Sequence, residues 1–143
     1  MDSAKRVING THGEIWLDGE YVGEAFKCQA KGSFNKQTIN ICRRMAEDSK
    51  ITSIKYTGSL GLHKVSSRMA RLIGAQVKAG RDPRFTVISK LADPDAYGAE
   101  RVQLTGVSFD DLTLADWEAA VNGKVECPFT FTDYDFLDDI EVQ

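Results

Sequence analysis

The 143 residues, 42% apolar and 27% charged, describe one globular domain large enough to bury a core. No apolar run approaches the roughly 18 residues of a membrane span, and the opening MDSAKRVING lacks the apolar centre of a secretory leader, so a chain kept at first in a reducing cytoplasm is expected. The net charge is −3, and only three cysteines and two histidines are present, scattered, which argues against a disulfide framework, a zinc site or a histidine-centred triad.

In chain order, EIWLDGEYVGEAF places Asp18-Gly19 between apolar stretches, the signal of a tight type I′ hairpin. A long alternation follows. Val22, Phe26, Cys28, Ala30 and Phe34 share one parity, and Lys27, Gln29, Lys31, Ser33 and Asn35 the other, as in a strand with one buried and one wet face. QTINIC continues it through Ile39 and Ile41. RRMAEDSK, 43–50, then breaks the pattern with Arg43, Arg44, Met45, Glu47, Asp48 and Lys50, and reads as a long loop with a functional role. Alternation resumes through Ile54, Tyr56, Leu60 and Leu62.

VSSRMARLIGAQVKAG carries Val65, Met69, Leu72, Ile73 and Val77 at helical spacing, which predicts one helix over about 65–79. Ser66 or Ser67 is placed to cap its start and Gly80 to close it. RFTVISKL is a strand. GAERVQLTGVSFD is another, but Val102 and Leu104 are out of phase with Val107 and Phe109, and Gly106 sits at the slip, as a β-bulge requires. In VECPFTFTDYDF, Val125, Cys127, Phe129 and Phe131 share a face, while Pro128 suggests an edge or an end of the sheet. The expected core holds Phe26, Phe34, Leu72, Ile73, Phe109, Phe129 and Phe131. The expected fold is mainly β: a two-sheet sandwich or barrel-like arrangement of long bent strands with one flanking helix.

Charge is segregated along the chain. Residues 1–42 are balanced; residues 43–90 hold eleven basic and three acidic side chains, 91–124 two and seven, and 125–143 none and six. A basic middle and an acidic end suit either a polyanion or a second copy of the chain as partner. No motif supplies catalysis. GSLGLHK lacks the spacing of a phosphate loop, and DPD lacks the ligand order of a calcium loop. The carboxylates Asp133, Asp135, Asp138 and Asp139 read as an acidic tail.

The stretches NGTHGEIWLDGE, NICRRM, TGSLGLHKVSSRM, VKAGRDPRFT, GAERVQLTGVSFD and VECPFTFTDYDF, taken in order, run nearly end to end. Together they resemble the tail tube proteins of contractile-tailed bacteriophages, PBSX-like defective prophages and phage-tail-like bacteriocins, which look like the haemolysin-coregulated tube protein of type VI secretion. The resemblance implies a single tail tube domain over 1–143, with a flexible N-terminal arm over 1–10 and an acidic C-terminal tail over 136–143. It implies hexameric rings of the chain itself, stacked into a hollow tube inside a sheath, with the sheath, baseplate and tail terminator proteins as partners. Tape-measure protein or DNA would occupy the lumen. The 43–50 loop would reach a neighbouring subunit or ring. The expected location is a virion or phage-tail-like particle assembled in the host cytoplasm, with no enzyme activity, cofactor, metal or membrane insertion. The alternative is a nucleic-acid-binding β-domain that uses the basic 43–90 segment.

Overall fold

A computed structural model describes residues 4–95, 98–138 and 140. Among these the elements run β1 (Gly13–Leu17), β2 (Glu20–Tyr21), β3 (Ala25–Ile39), β4 (Asp48–His63), α1 (Arg68–Lys78), β5 (Phe85–Leu91), β6 (Glu100–Phe109), β7 (Lys124–Phe131) and β8 (Asp133–Asp138). The strands pair antiparallel in the order β2-β1-β5-β6-β7-β4-β3, with β8 beside β6. The path does not close on itself. Asp18 and Gly19 both take positive φ between β1 and β2, the tight hairpin that their sequence signals.

The path folds into two layers at β6. The first part of β6 lies between β5 and β8, whereas Ser108 and Phe109 pair with β7. The change of partner coincides with the bulge. Phe85 stands opposite Val107 and Val87 opposite Leu104, so two residues of β5 face three steps of β6. Gly106 takes φ +68°, and a Cβ there would run into Thr132. Thr132 in turn donates to the Thr105 carbonyl from its amide at 3.0 Å and its hydroxyl at 3.1 Å. That pair of bonds sets the corner between β7 and β8.

The core lies where the layers are closest. Ile15, Leu17, Val87, Leu104 and Val107 come from one layer, and Leu60, Leu62, Cys127, Phe129 and Phe131 from the other. Gly58 is paired with Phe129, and a Cβ on it would stand 2.6 Å from the ring, so the missing side chain makes room for the most deeply buried aromatic. Helix α1 lays Met69 and Ile73 into this core. It ends where Gly80 (φ +76°) donates to the Val77 carbonyl and Arg81 to that of Gln76, a Schellman closure.

Several expectations are corrected. The helix starts at Arg68, not near 65; Val65, taken as its first core contact, is exposed. Leu72 and Phe109 are half-buried, and Phe26 and Phe34 are exposed. Phe26 leaves its expected face because the β3–β4 register shifts between Ala25 and Lys27, while Phe34 keeps its phase but has no layer above it. Asp48 and Lys50 belong to β4, paired with Ile39 and Gln37, so the loop is shorter than 43–50. A strand exposed on both faces needs no apolar alternation, which is why these residues read as loop. Asp133–Asp138 are β8 on β6, not a tail, with Tyr134 and Phe136 alternating against the acids; the expected tail residues 139 and 141–143 lie outside the described residues. Pro128 sits in an interior strand, but at the point where β6 leaves β7. Its carbonyl accepts from Asp110 there, and no further ladder donor is needed.

Phe129→Ala removes a fully buried ring and leaves a cavity between the layers. We expect about 3–5 kcal/mol of lost stability in a denaturant titration; a change within roughly 0.5 kcal/mol contradicts this placement of the core.

Candidate assembly surface

Strands β3 and β4, fifteen and sixteen residues long, form a hairpin that outruns the rest of the fold. Its two faces differ in chemistry. One face carries Lys27, Gln29, Lys31, Ser33 and Asn35 from β3, opposite Ser59, Thr57, Lys55 and Ser53 of β4. It is polar, with lysine as its charge. The other face carries Cys28, Ala30, Gly32 and Phe34 opposite Leu60, Gly58, Tyr56 and Ile54. Near the core this face is covered. Further out Phe34 is 56% and Ile54 45% exposed. A second register shift, between Asn35 and Lys36, leaves Thr52 unpaired as its hydroxyl bonds the Asn35 carbonyl at 3.0 Å. The extra residue puts Ile51 on the same face as Ile54 despite the odd spacing.

The outer part of this face roofs an open groove of about 580 Å³. Its other wall is built from Leu91, Val102, Tyr134 and Phe136 of β5, β6 and β8, and its floor from Leu104 and Phe131. Tyr56 stacks on Phe131 at 5.1 Å and meets Tyr134 edge-on at 5.6 Å, so aromatic contacts continue from core to groove. The groove runs on toward Lys27, Lys90 and Glu14 between β3 and β5. Beyond β3 no strand is paired among the described residues, leaving a fifteen-residue edge open. Sequence reading missed Tyr134 and Phe136 as site residues, although their alternation with Asp133 and Asp135 is a strand signal.

The expected loop residues divide. Arg43, Arg44, Met45 and Glu47 lie in the turn at the hairpin tip, Arg43 with φ +67° and Met45 fully exposed; Asp48 and Lys50 lie in the adjoining strand. The basic 43–90 segment does not converge on one patch. Part is at the tip, part on the hairpin and part on α1, and Arg68 and Arg84 sit beside Glu24 (3.6 Å) and Asp82 (3.0 Å).

The described part of the N-terminal arm makes short turns at Ala4–Arg6 and Gly10–His12. Asp93 anchors the second. It accepts from the backbone N–H of Asn9 at 2.8 Å and of Asp95 at 3.0 Å, and His12 approaches it at 3.9 Å. These hydrogen bonds, the one from Asp95 foremost, hold the carboxyl below its usual range. Among the thiols, burial and the nearby Asp111 and Glu126 carboxylates push Cys127 up to about 11, so it stays protonated at neutral pH. No group of three or more His, Cys, Asp or Glu among the described residues is placed to hold a metal.

A model of the phage tail tube protein family matches residues 2–138. The chain belongs to that family. The tail tube chain is 35% identical to the phage-like element PBSX protein XkdM of Bacillus subtilis (strain 168) over 134 residues, 92% of its own length and 91% of the relative's. A solved Bacillus subtilis structure at 34% identity superposes with a TM-score of 0.54 over 94% of this chain and 98% of that one. At only 7% identity, a chain from the sheath-tube complex of an extracellular contractile injection system superposes with a TM-score of 0.69 over 95% of this chain and 98% of that one. The tail-tube fold is therefore retained where the sequence is not. This is a structural family, and the chain has the role of a tube subunit in a phage-tail-type particle.

The Asp93 anchor has a definite acid dependence. A lowered carboxyl pKa contributes stability that is complete above the ordinary value of about 4 and is lost as pH falls through the folded-state value. The Asn9 and Asp95 amide NMR signals should hold from neutral pH down to about pH 4 and move only below it. A midpoint above that contradicts the anchor.

Proposed function

We propose that six copies of this chain close into a ring and that rings stack into the hollow inner tube of a contractile tail, inside a sheath. The observation that carries the reading is the β3–β4 hairpin, which has an open strand edge, an uncovered apolar face and a polar lysine face on one element. A head-to-tail contact between copies closes as a ring when the rotation fits, and it covers an edge and an apolar face at once. The polar face is the one that tolerates water and lines the conduit, where tape-measure protein or DNA would lie. The tip at 40–47, with Arg43, Arg44, Met45 and Glu47, extends to the neighbouring ring. Sheath, baseplate and terminator proteins are the other partners, and assembly takes place in the host cytoplasm.

Charge segregation then sets orientation. The acidic β8 and 110–118 segments of one copy face basic segments of the next. Exposed pairs contribute only about 0–1 kcal/mol each, so they guide encounter and reject reversed copies more than they hold the wall.

Negative-stain microscopy of concentrated protein should show rings or tubes; a persistent monomer under all assembly conditions contradicts the reading. Across a salt series, added salt should slow tube growth more than it dissolves finished tubes, because screening acts on exposed charges during encounter. Finished tubes that dissolve at moderate salt while growth rate is unchanged contradict these roles.

A further inference from the structure

The segment between β6 and β7 carries the most exposed large side chains outside the hairpin tip and the residues flanking α1. Leu114 is 81% and Trp117 86% exposed. The segment pairs with no strand among the described residues, and Leu112 alone packs it against the core and α1. A tryptophan left in water gives up a large burial, since one such side chain removes roughly 150–250 Å² from solvent when it is covered. The same segment holds Asp110, Asp111, Asp116 and Glu118 and no basic residue before Lys124.

The groove beneath β3 is the matching void. It offers about 580 Å³ walled by Phe34, Ile54, Tyr134 and Phe136, and Lys27, Lys31 and Lys90 outnumber Glu14 and Glu100 along its length. We propose that Leu114 and Trp117 of one copy seat in this groove on the neighbouring copy. The proposal rests on the tube reading and deepens it by naming the lateral lock.

Two observations select this occupant over the hairpin tip. The tip is basic, with Arg43 and Arg44, whereas the 110–118 segment is acidic and faces the lysines of the groove. Position agrees. The segment leaves from the β6–β7 side of the path, and the groove lies under β3 at the other end. Knob and hole on opposite flanks make a heterologous contact that repeats from copy to copy and can close a ring. The tip points along the strands instead.

Cys28 lies in the groove and gives a direct test. Its thiol is pushed up by burial, against a hydrogen bond to Ser89, so oxidation is run at mildly alkaline pH. The variant carries Leu114→Cys with Cys42→Ser and Cys127→Ala. After assembly and copper-phenanthroline oxidation, denaturing gels should show a ladder of covalent oligomers that needs both Cys28 and the introduced thiol. In a Trp16→Phe background, Trp117 emission should shift to shorter wavelength on assembly. Trp117→Ala, at an exposed position, should leave the monomer folded and weaken assembly by about tenfold or more.

Tubes that form with no ladder and unchanged Trp117 emission overturn the lock and leave the tube reading standing. A ladder from Met45→Cys in place of Leu114→Cys assigns the groove to the tip and overturns the lock as well, and so does a link within one monomer from Val142→Cys. Failure of the unmodified chain to form rings or tubes overturns both readings.

Discussion

The structure depends on a mismatch of length. Strands of fifteen and sixteen residues face a second layer whose strands are at most ten residues long. Burial of apolar surface stabilises by roughly 25 cal/mol per Å², so the overlapping part, around Phe129, Leu60 and Val87, holds the fold. The remainder of the hairpin is held by its own backbone ladder alone. Two-stranded ribbons are marginal in water without a covered face. The chain thus contains a firm body and an arm whose apolar side is unfinished.

The bulge at Gly106 makes this arrangement possible. Without it, β6 would continue flat and its apolar residues would change faces beyond Leu104. With it, β6 joins β5 and β8 on one side of the corner and β7 on the other, so a single strand ties the layers together. Thr132 secures the corner from the β7–β8 side. The opening that results beneath β3 becomes a groove, and contractile-system tubes with almost none of this sequence keep the same overall shape.

Much of this was legible in the residues. Asp18-Gly19, the slip at Gly106, the helix stripe of Met69 and Ile73, and the alternation through Cys127, Phe129 and Phe131 each follow from local chemistry. The misreadings have two physical sources. Register shifts at Ala25/Lys27 and Asn35/Lys36 change the phase of β3 and β4 without a glycine or proline at the step. Alternation also reports which side chains avoid water, not whose atoms cover them. Phe34, Ile54, Tyr134 and Phe136 alternate like core residues, yet they are open in a single copy. The Asp93 anchor left no trace in the pattern, because one carboxylate accepting two backbone donors needs no spacing rule.

The central claim is that the hairpin is completed by another copy. Amide hydrogen exchange along β3, from Lys27 to Gln37, tests it most directly by comparing free and assembled protein. The outward-facing amides of β3 have no strand partner in the single chain, so they should exchange quickly when free. They should become strongly protected on assembly, while β7, already enclosed, changes little. Equal exchange along β3 in both states would mean that its edge and apolar face stay open in the tube, and the account of how copies join would be wrong.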